Sequence, residues 1–120
     1  MSPGNRRTDS LQILGLAHRA GAVIRGLDAV RTALRAGRVS LVVTADDASV
    51  VQLKKIEGLL KAREVPSVSL GSRAALGAAL GSPPLTAVAV AGTAWAERLR
   101  VESAHAAAPD GPGREQGRKT

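Results

Sequence analysis

Cysteine, phenylalanine and tyrosine are absent from this chain, and a single tryptophan, Trp95, is its whole aromatic complement. Without cysteine there is no disulfide, no thiolate metal ligand and no thiol nucleophile, as in proteins of a reducing cytosol. Without a set of aromatic rings the chain cannot stack successive bases in the manner of sheet-based single-strand binders. Any hold on nucleic acid must come from charge, backbone amides and shape. Long apolar runs are missing too. The longest, residues 85–96, is interrupted by Thr86, Gly92 and Thr93, whereas a membrane-spanning helix needs about twenty apolar residues. The segment behind "MSPGNRRTDS" lacks the apolar stretch of a secretory signal, so a soluble cytoplasmic protein is expected, with no membrane as partner.

What the chain has in excess is positive charge. Seventeen Lys and Arg against ten Asp and Glu leave a net charge of +7 over 120 residues, which favours anionic partners. That length accommodates one domain with a sizeable core. Residues 1–8 read as a polar arm and residues 9–105 as the domain. From Ala106, "AAAPDGPGREQGRKT" lacks apolar periodicity and reads as a disordered, basic-tipped tail.

Within the domain, helical and extended patterns alternate. "TDSLQILGLAHRAG" predicts a helix capped at Thr8 or Asp9, and "AVIRG" a short strand. Leu27, Val30 and Leu34 recur at helical spacing in a second helix that begins near Gly26 and ends at Gly37. "VSLVVTA" is apolar and β-branched without clean alternation, the pattern of a central strand covered on both faces. A third helix follows, capped by Asp47 or Ser49. Its apolar set is Val50, Val51, Leu53, Ile56, Leu59 and Leu60, and Lys54, Lys55, Glu57 and Lys61 point outward. "PSVSL" is a strand, "SRAALGAALG" a helix, "LTAVAVAG" a strand and "TAWAERLRVESAH" a last helix. Helices alternating with short strands imply an α/β fold, a three-layer α/β/α sandwich around a small mixed central sheet.

No set of residues in this pattern points to catalysis. Asp46 and Asp47 follow the central strand, where paired carboxylates hold Mg²⁺ or accept a phosphoryl group in receiver domains. Here no third acidic residue ends another predicted strand, and helix capping accounts for the pair. His18 and His105 have no second ligand at helical spacing, and the glycines around Gly77 and Gly81 lack the lysine and spacing of a phosphate-binding loop. Trp95, one turn before Leu99, reads as core packing. We therefore expect no enzyme, no metal and no cofactor.

The stretch "VIRGLDAVRTALRAGR" carries Arg25, Arg31, Arg35 and Arg38 against Asp28 alone. On the second helix Asp28, Arg31, Thr32 and Arg35 share the face opposite Leu27, Val30 and Leu34. Gly26 lets the backbone approach a partner closely, and the helix start behind it offers unpaired amides to phosphates or base edges. The same charges also serve as a solvated face, with Asp28 pairing Arg31 or Arg35. Both readings fit the pattern.

From about Leu11 to Leu99 the chain resembles the family of the archaeal large-subunit ribosomal protein seven-Ae, in a short bacterial form. "LGLAHRAGAVIRG", "ALRAGRVSLVVTADDAS", "VPSVSLGSRAALGAALG" and "AVAVAG" carry the resemblance, in order and almost without gaps. It implies the sandwich argued above and a non-enzymatic, monomeric partner of structured RNA, whether ribosomal RNA or another kink-turn-like RNA, with the ribosome as one setting. In family members that grip kink-turns, the strand-to-helix corner and second helix enter the major groove at sheared G·A pairs. A loop before the last strand packs on the flipped-out nucleotide. The resemblance thus assigns RNA contacts to Gly26, Leu27, Asp28, Arg31, Thr32 and Arg35, and to the loop of Ser82, Pro83, Pro84, Leu85 and Thr86. The binders' pattern Gly-x-Asn-Glu-x-x-Lys falls on Gly26, Leu27, Asp28, Ala29, Val30, Arg31 and Thr32, where only the glycine matches. The rival implication is a protein-interaction module on the same fold that has lost kink-turn recognition.

Overall fold

The computed structural model describes residues 6–107. Five helices and four strands alternate through them: α1 (Arg6–Arg19), β1 (Val23–Arg25), α2 (Leu27–Arg35), β2 (Leu41–Thr44), α3 (Val50–Arg63), β3 (Ser67–Ser69), α4 (Arg73–Ala79), β4 (Ala87–Val90) and α5 (Thr93–Ala107). The sheet order is β1-β4-β2-β3. β4 lies antiparallel to both β1 and β2, and β2 parallel to β3. The sheet is therefore mixed, and β2 is interior.

Alternation on the strands is real but hidden in the sequence, because both faces are apolar. Leu41, Val43, Val88 and Val90 point into one core, with Ile13, Leu14, Leu70, Leu76 and Leu99. Val42, Ala87 and Ala89 point into the other, with Val30, Leu34 and Ile56. The first core joins the sheet to α1, α4 and α5, and the second joins it to α2 and α3. Each fully buried leucine or valine contributes roughly 1.5 to 3 kcal/mol relative to exposure. Two such layers on one sheet make the sandwich.

Several details correct the sequence reading. α1 starts at Arg6, ahead of Thr8 and Asp9, so the residues expected to cap it lie within the helix. α5 runs to Ala107, past the expected end at His105, while the arm's residues 1–5 and the tail's residues 108–120 lie outside those described. α3 is capped by Ser49, whose Oγ accepts from the Gln52 amide at 3.4 Å. Asp47 is used elsewhere. Its carboxylate accepts the Arg73 amide at 2.8 Å and lies 3.6 Å from the Arg73 Nε, fastening the loop after β2 to the start of α4. Val50 and Val51, assigned to the core face of α3, are 68% and 69% exposed. No helix of the described residues is long and apolar enough to cross a membrane.

Candidate nucleic-acid interface

A single residue, Gly26, separates β1 from α2. Its φ of 95° and ψ of 143° lie in a region that side-chain-bearing residues avoid. This lets the chain turn from strand to helix without a linker. No side chain caps α2. The Gly26 carbonyl accepts the Val30 amide at 2.9 Å, so the amides of Leu27, Asp28 and Ala29 precede the helix's own hydrogen-bond ladder. They carry the positive end of its dipole toward any anion at the corner.

The second part of the site comes from far along the chain. The Gly26 amide donates to the carbonyl of Ala87 at 3.3 Å, which binds the corner to the exit of the loop formed by Ser82, Pro83, Pro84, Leu85 and Thr86. That loop is held by α4. The Ser82 amide donates to the Gly77 carbonyl at 2.8 Å, and the Leu85 amide to the Arg73 carbonyl at 3.0 Å. Gly77 has no alternative here, because a Cβ at this position would sit 2.3 Å from the Pro83 carbonyl oxygen. Leu85 is half-buried against the first core, and Pro83 and Pro84 are exposed at the tip. At its far end the Thr86 hydroxyl donates to Gln52 Oε1 at 2.8 Å, reaching the first turn of α3. The Thr86 carbonyl accepts the Ala45 amide at 3.0 Å.

Antiparallel pairing thus brings three things to one end of the sheet: the uncapped start of α2, the proline loop and the start of α3. Sequence reasoning had joined the first two through the family resemblance. It missed the third, with the exposed Val50 and Val51 and the linking Gln52. Helical spacing groups Val50 with Leu53, but spacing names a shared face and not whether anything covers the end of it.

The side chains of α2 divide nearly as expected. Val30 and Leu34 are buried and Leu27 partly so, while Asp28, Thr32 and Arg35 are exposed. Arg31 departs from the expectation of a fully outward side chain. It is half-buried, and its Nε is enclosed with no hydrogen-bond partner among the described residues. An enclosed donor of this kind is costly until it meets an acceptor. Ala33, not counted among the inward residues, is buried beside Leu34.

The two aspartates after β2 have structural partners. Ser69 Oγ donates to Asp46 Oδ1 at 2.5 Å, and the Asp46 amide donates to the Gly71 carbonyl at 2.7 Å. Together with Asp47 and Arg73 these bonds tie the loop after β2 to β3 and α4. Among the described residues no group of three or more His, Asp or Glu is placed to hold a metal ion.

Residues 8–97 match the model of the ribosomal protein L7Ae/L30e/S12e/Gadd45 family. The chain is a member of that family. Two curated relatives of this L7Ae-family chain are named RNA-binding protein YlxQ. The one from Bacillus subtilis (strain 168) is 37% identical over 87 residues, 72% of this chain and 87% of the relative. The one from Enterococcus faecium is 34% identical over 83 residues, 69% of this chain and 80% of the relative. Among solved structures, a protein of unknown function from Bacillus halodurans C superposes with a TM-score of 0.74 at 29% identity, covering 78% of this chain and 94% of that one. The Giardia lamblia 15.5kD RNA binding protein superposes with a TM-score of 0.70 at 19% identity, covering 86% and 94% respectively. That second likeness extends the L7Ae-family fold to a distant sequence.

Proposed function

We propose that this L7Ae-family chain is a non-enzymatic RNA-binding protein of the cytoplasm, acting as a monomer on structured RNA. One observation carries the reading: the uncapped start of α2 at Gly26 is hydrogen-bonded to the exit of the proline loop at Ala87. Two rigid backbone surfaces, one offering amides and the other an exposed Pro83 and Pro84, then face a ligand from one end of the sheet. Such a site suits folded RNA, whose splayed nucleotides and backbone are gripped by shape and charge. It needs no aromatic platform, and the chain has none to offer beyond Trp95. The names of the two YlxQ relatives support RNA as the ligand.

In this reading Gly26 and Leu27 approach the RNA through the backbone. Asp28, Thr32 and Arg35 face it along α2, and Arg31 reaches it by leaving its half-buried position. Ser82, Pro83, Pro84, Leu85 and Thr86 form the opposing wall, with Val50 and Val51 as apolar surface beside them. The RNA class proposed is a kink-turn or a related fold, with ribosomal RNA as one source.

The side chains at the motif positions favour a second reading. Asp28, Ala29 and Thr32 stand where kink-turn binders carry Asn, Glu and Lys, and an exposed carboxylate at Asp28 repels phosphate. The exposed Val50 and Val51, at the same end of the sheet, would suit a protein surface. A gel-shift comparing a kink-turn RNA with a plain duplex of equal length decides between them. The RNA reading expects a clear preference for the kink-turn at physiological salt. Equal, weak and strongly salt-dependent binding to both would leave the protein-interaction module. Co-sedimentation with ribosomal subunits then tests the ribosomal setting.

A further inference from the structure

α2 and α3 both leave the sheet at the Gly26 end and finish together at the other. There the Arg63 guanidinium donates from Nη2 to the Arg35 carbonyl at 2.5 Å, and a Cβ placed on Gly37 would lie 3.8 Å from Arg63 Nη1. The Arg63 head group therefore lies over the turn that ends α2. Arg38 follows directly, its amide returning to the Ala33 carbonyl at 3.1 Å. Arg35, Arg38 and Arg63 are all exposed. Among the described residues none of the three forms an ion pair with a carboxylate, although Glu64, the exposed C-cap of α3, adjoins Arg63.

A structural role explains part of this. Arg63 supplies a donor to a carbonyl at the end of α2, and cations are favoured at helix C-termini. That role requires one arginine. It does not require Arg38, whose side chain makes no hydrogen bond or ion pair among the described residues, and gathering three like charges within one turn works against the fold. An anion would offset that repulsion. Arg35 and Arg38 leave the turn that the Arg63 head group covers, and guanidinium groups suit the forked, bidentate geometry of phosphate oxygens. Among the described residues no large exposed apolar side chain adjoins them in sequence to anchor a membrane or a protein core.

Position selects the ligand. The nine residues of α2 span about 13 Å at 1.5 Å per residue. An RNA stem leaving the Gly26 corner along the exposed line of Asp28, Thr32 and Arg35 would meet this cluster at the far end of α2. We propose that Arg35, Arg38 and Arg63 form a second, sequence-independent phosphate clamp for the RNA stem that flanks the corner site. This rests on the RNA reading above and adds to it a contact made with stem backbone alone.

Stem length tests the clamp. Two kink-turn RNAs, one with minimal stems and one with stems a helical turn longer, are titrated with the wild type and with the Arg38→Gln/Arg63→Gln variant. The wild type is expected to bind the longer RNA roughly three- to tenfold more tightly, with a salt slope steeper by about 0.7 to 0.9 for each added phosphate contact. The variant should lose that gain and keep the wild-type affinity for the minimal RNA. If Arg63→Gln loosens the end of α2, as a lowered Tm would report, Arg38→Gln alone carries the test through a smaller loss of the same gain. An undiminished stem-length gain in the folded variants, or no gain in the wild type, overturns the clamp. Failure of the corner reading looks different: the wild type would then bind kink-turn and plain duplex alike. That outcome overturns the clamp as well, because no corner site then holds the stem it would flank.

Discussion

The amide of Gly26 meets the carbonyl of Ala87 at 3.3 Å, so the corner that opens α2 and the strand that follows the proline loop hold each other in place. Neither half of the site is fixed by its local sequence alone. Perturbing either one should therefore be felt at the other.

Gly26→Ala tests the corner. A Cβ there meets nothing within 4 Å, so the penalty comes entirely from forcing an alanine to φ 95°, on the order of 1 to 3 kcal/mol. Urea denaturation followed through the fluorescence of Trp95 measures it, and RNA affinity should fall in parallel. Gly58→Ala is the matched control. That glycine lies inside α3 with free space around it, and alanine there should stabilise by roughly 0.5 to 1 kcal/mol with no change in RNA binding.

Gly77→Ala tests the loop. The added methyl collides with Pro83 and Ser82 backbone atoms at 2.3 to 2.7 Å, which no rotamer change relieves. The loop must shift. We expect a stability loss of about 1 to 3 kcal/mol in thermal melts, the usual cost of overpacking. A drop in RNA affinity beyond what partial unfolding explains should accompany it. Affinity that tracks the folded fraction alone would remove the loop from the site.

Much of the architecture was readable from residue order. The apolar spacing of Leu27, Val30 and Leu34 marked α2, and the unbroken "LVV" of β2 marked a strand covered on both faces. The missed features share one cause: they depend on what lies across space. Asp47 and Ser49 are both good capping residues by type, and only the position of Arg73 explains why Asp47 turns to α4. Val50 and Val51 look like core residues by composition, but among the described residues nothing covers them. Likewise Gly77 reads as one more glycine in an Ala-rich helix until Pro83 is packed against it.

The capping assignment predicts two separable losses. Ser49→Ala removes the bond to the Gln52 amide and should cost roughly 1 kcal/mol. Asp47→Ala leaves the Arg73 amide without its acceptor. It should cost a similar amount, about 0.5 to 1.5 kcal/mol, with little from the half-exposed ion pair itself. The two sites serve different helices, so the double variant should show the sum within about 0.5 kcal/mol.

Restoring the kink-turn binders' residues gives the most direct functional test. Asp28→Asn with Thr32→Lys replaces a carboxylate by an amide and adds a phosphate-seeking amine, both at exposed positions of α2. In a gel-shift the double variant should hold a kink-turn RNA more tightly by on the order of 1 to 3 kcal/mol, the value of a regained base contact. No gain on any RNA would count against the family's docking geometry for this chain.

The pairing of Val23 with Val90, far apart along the chain, has a consequence for the order of events as the protein is made. A ribosome delivers the strand that begins the sheet well before β4, to which it must pair. Until β4 emerges, β1 has no neighbour and Gly26 no acceptor for its amide. Contacts so distant along the chain slow the search for the native state, and they also set its timing. The proposed RNA-binding corner, with its Gly26 amide held by Ala87, cannot form on an unfinished chain, so a fragment stopping short of Ala87 should have lost more than one strand. It should be unable to bind at all.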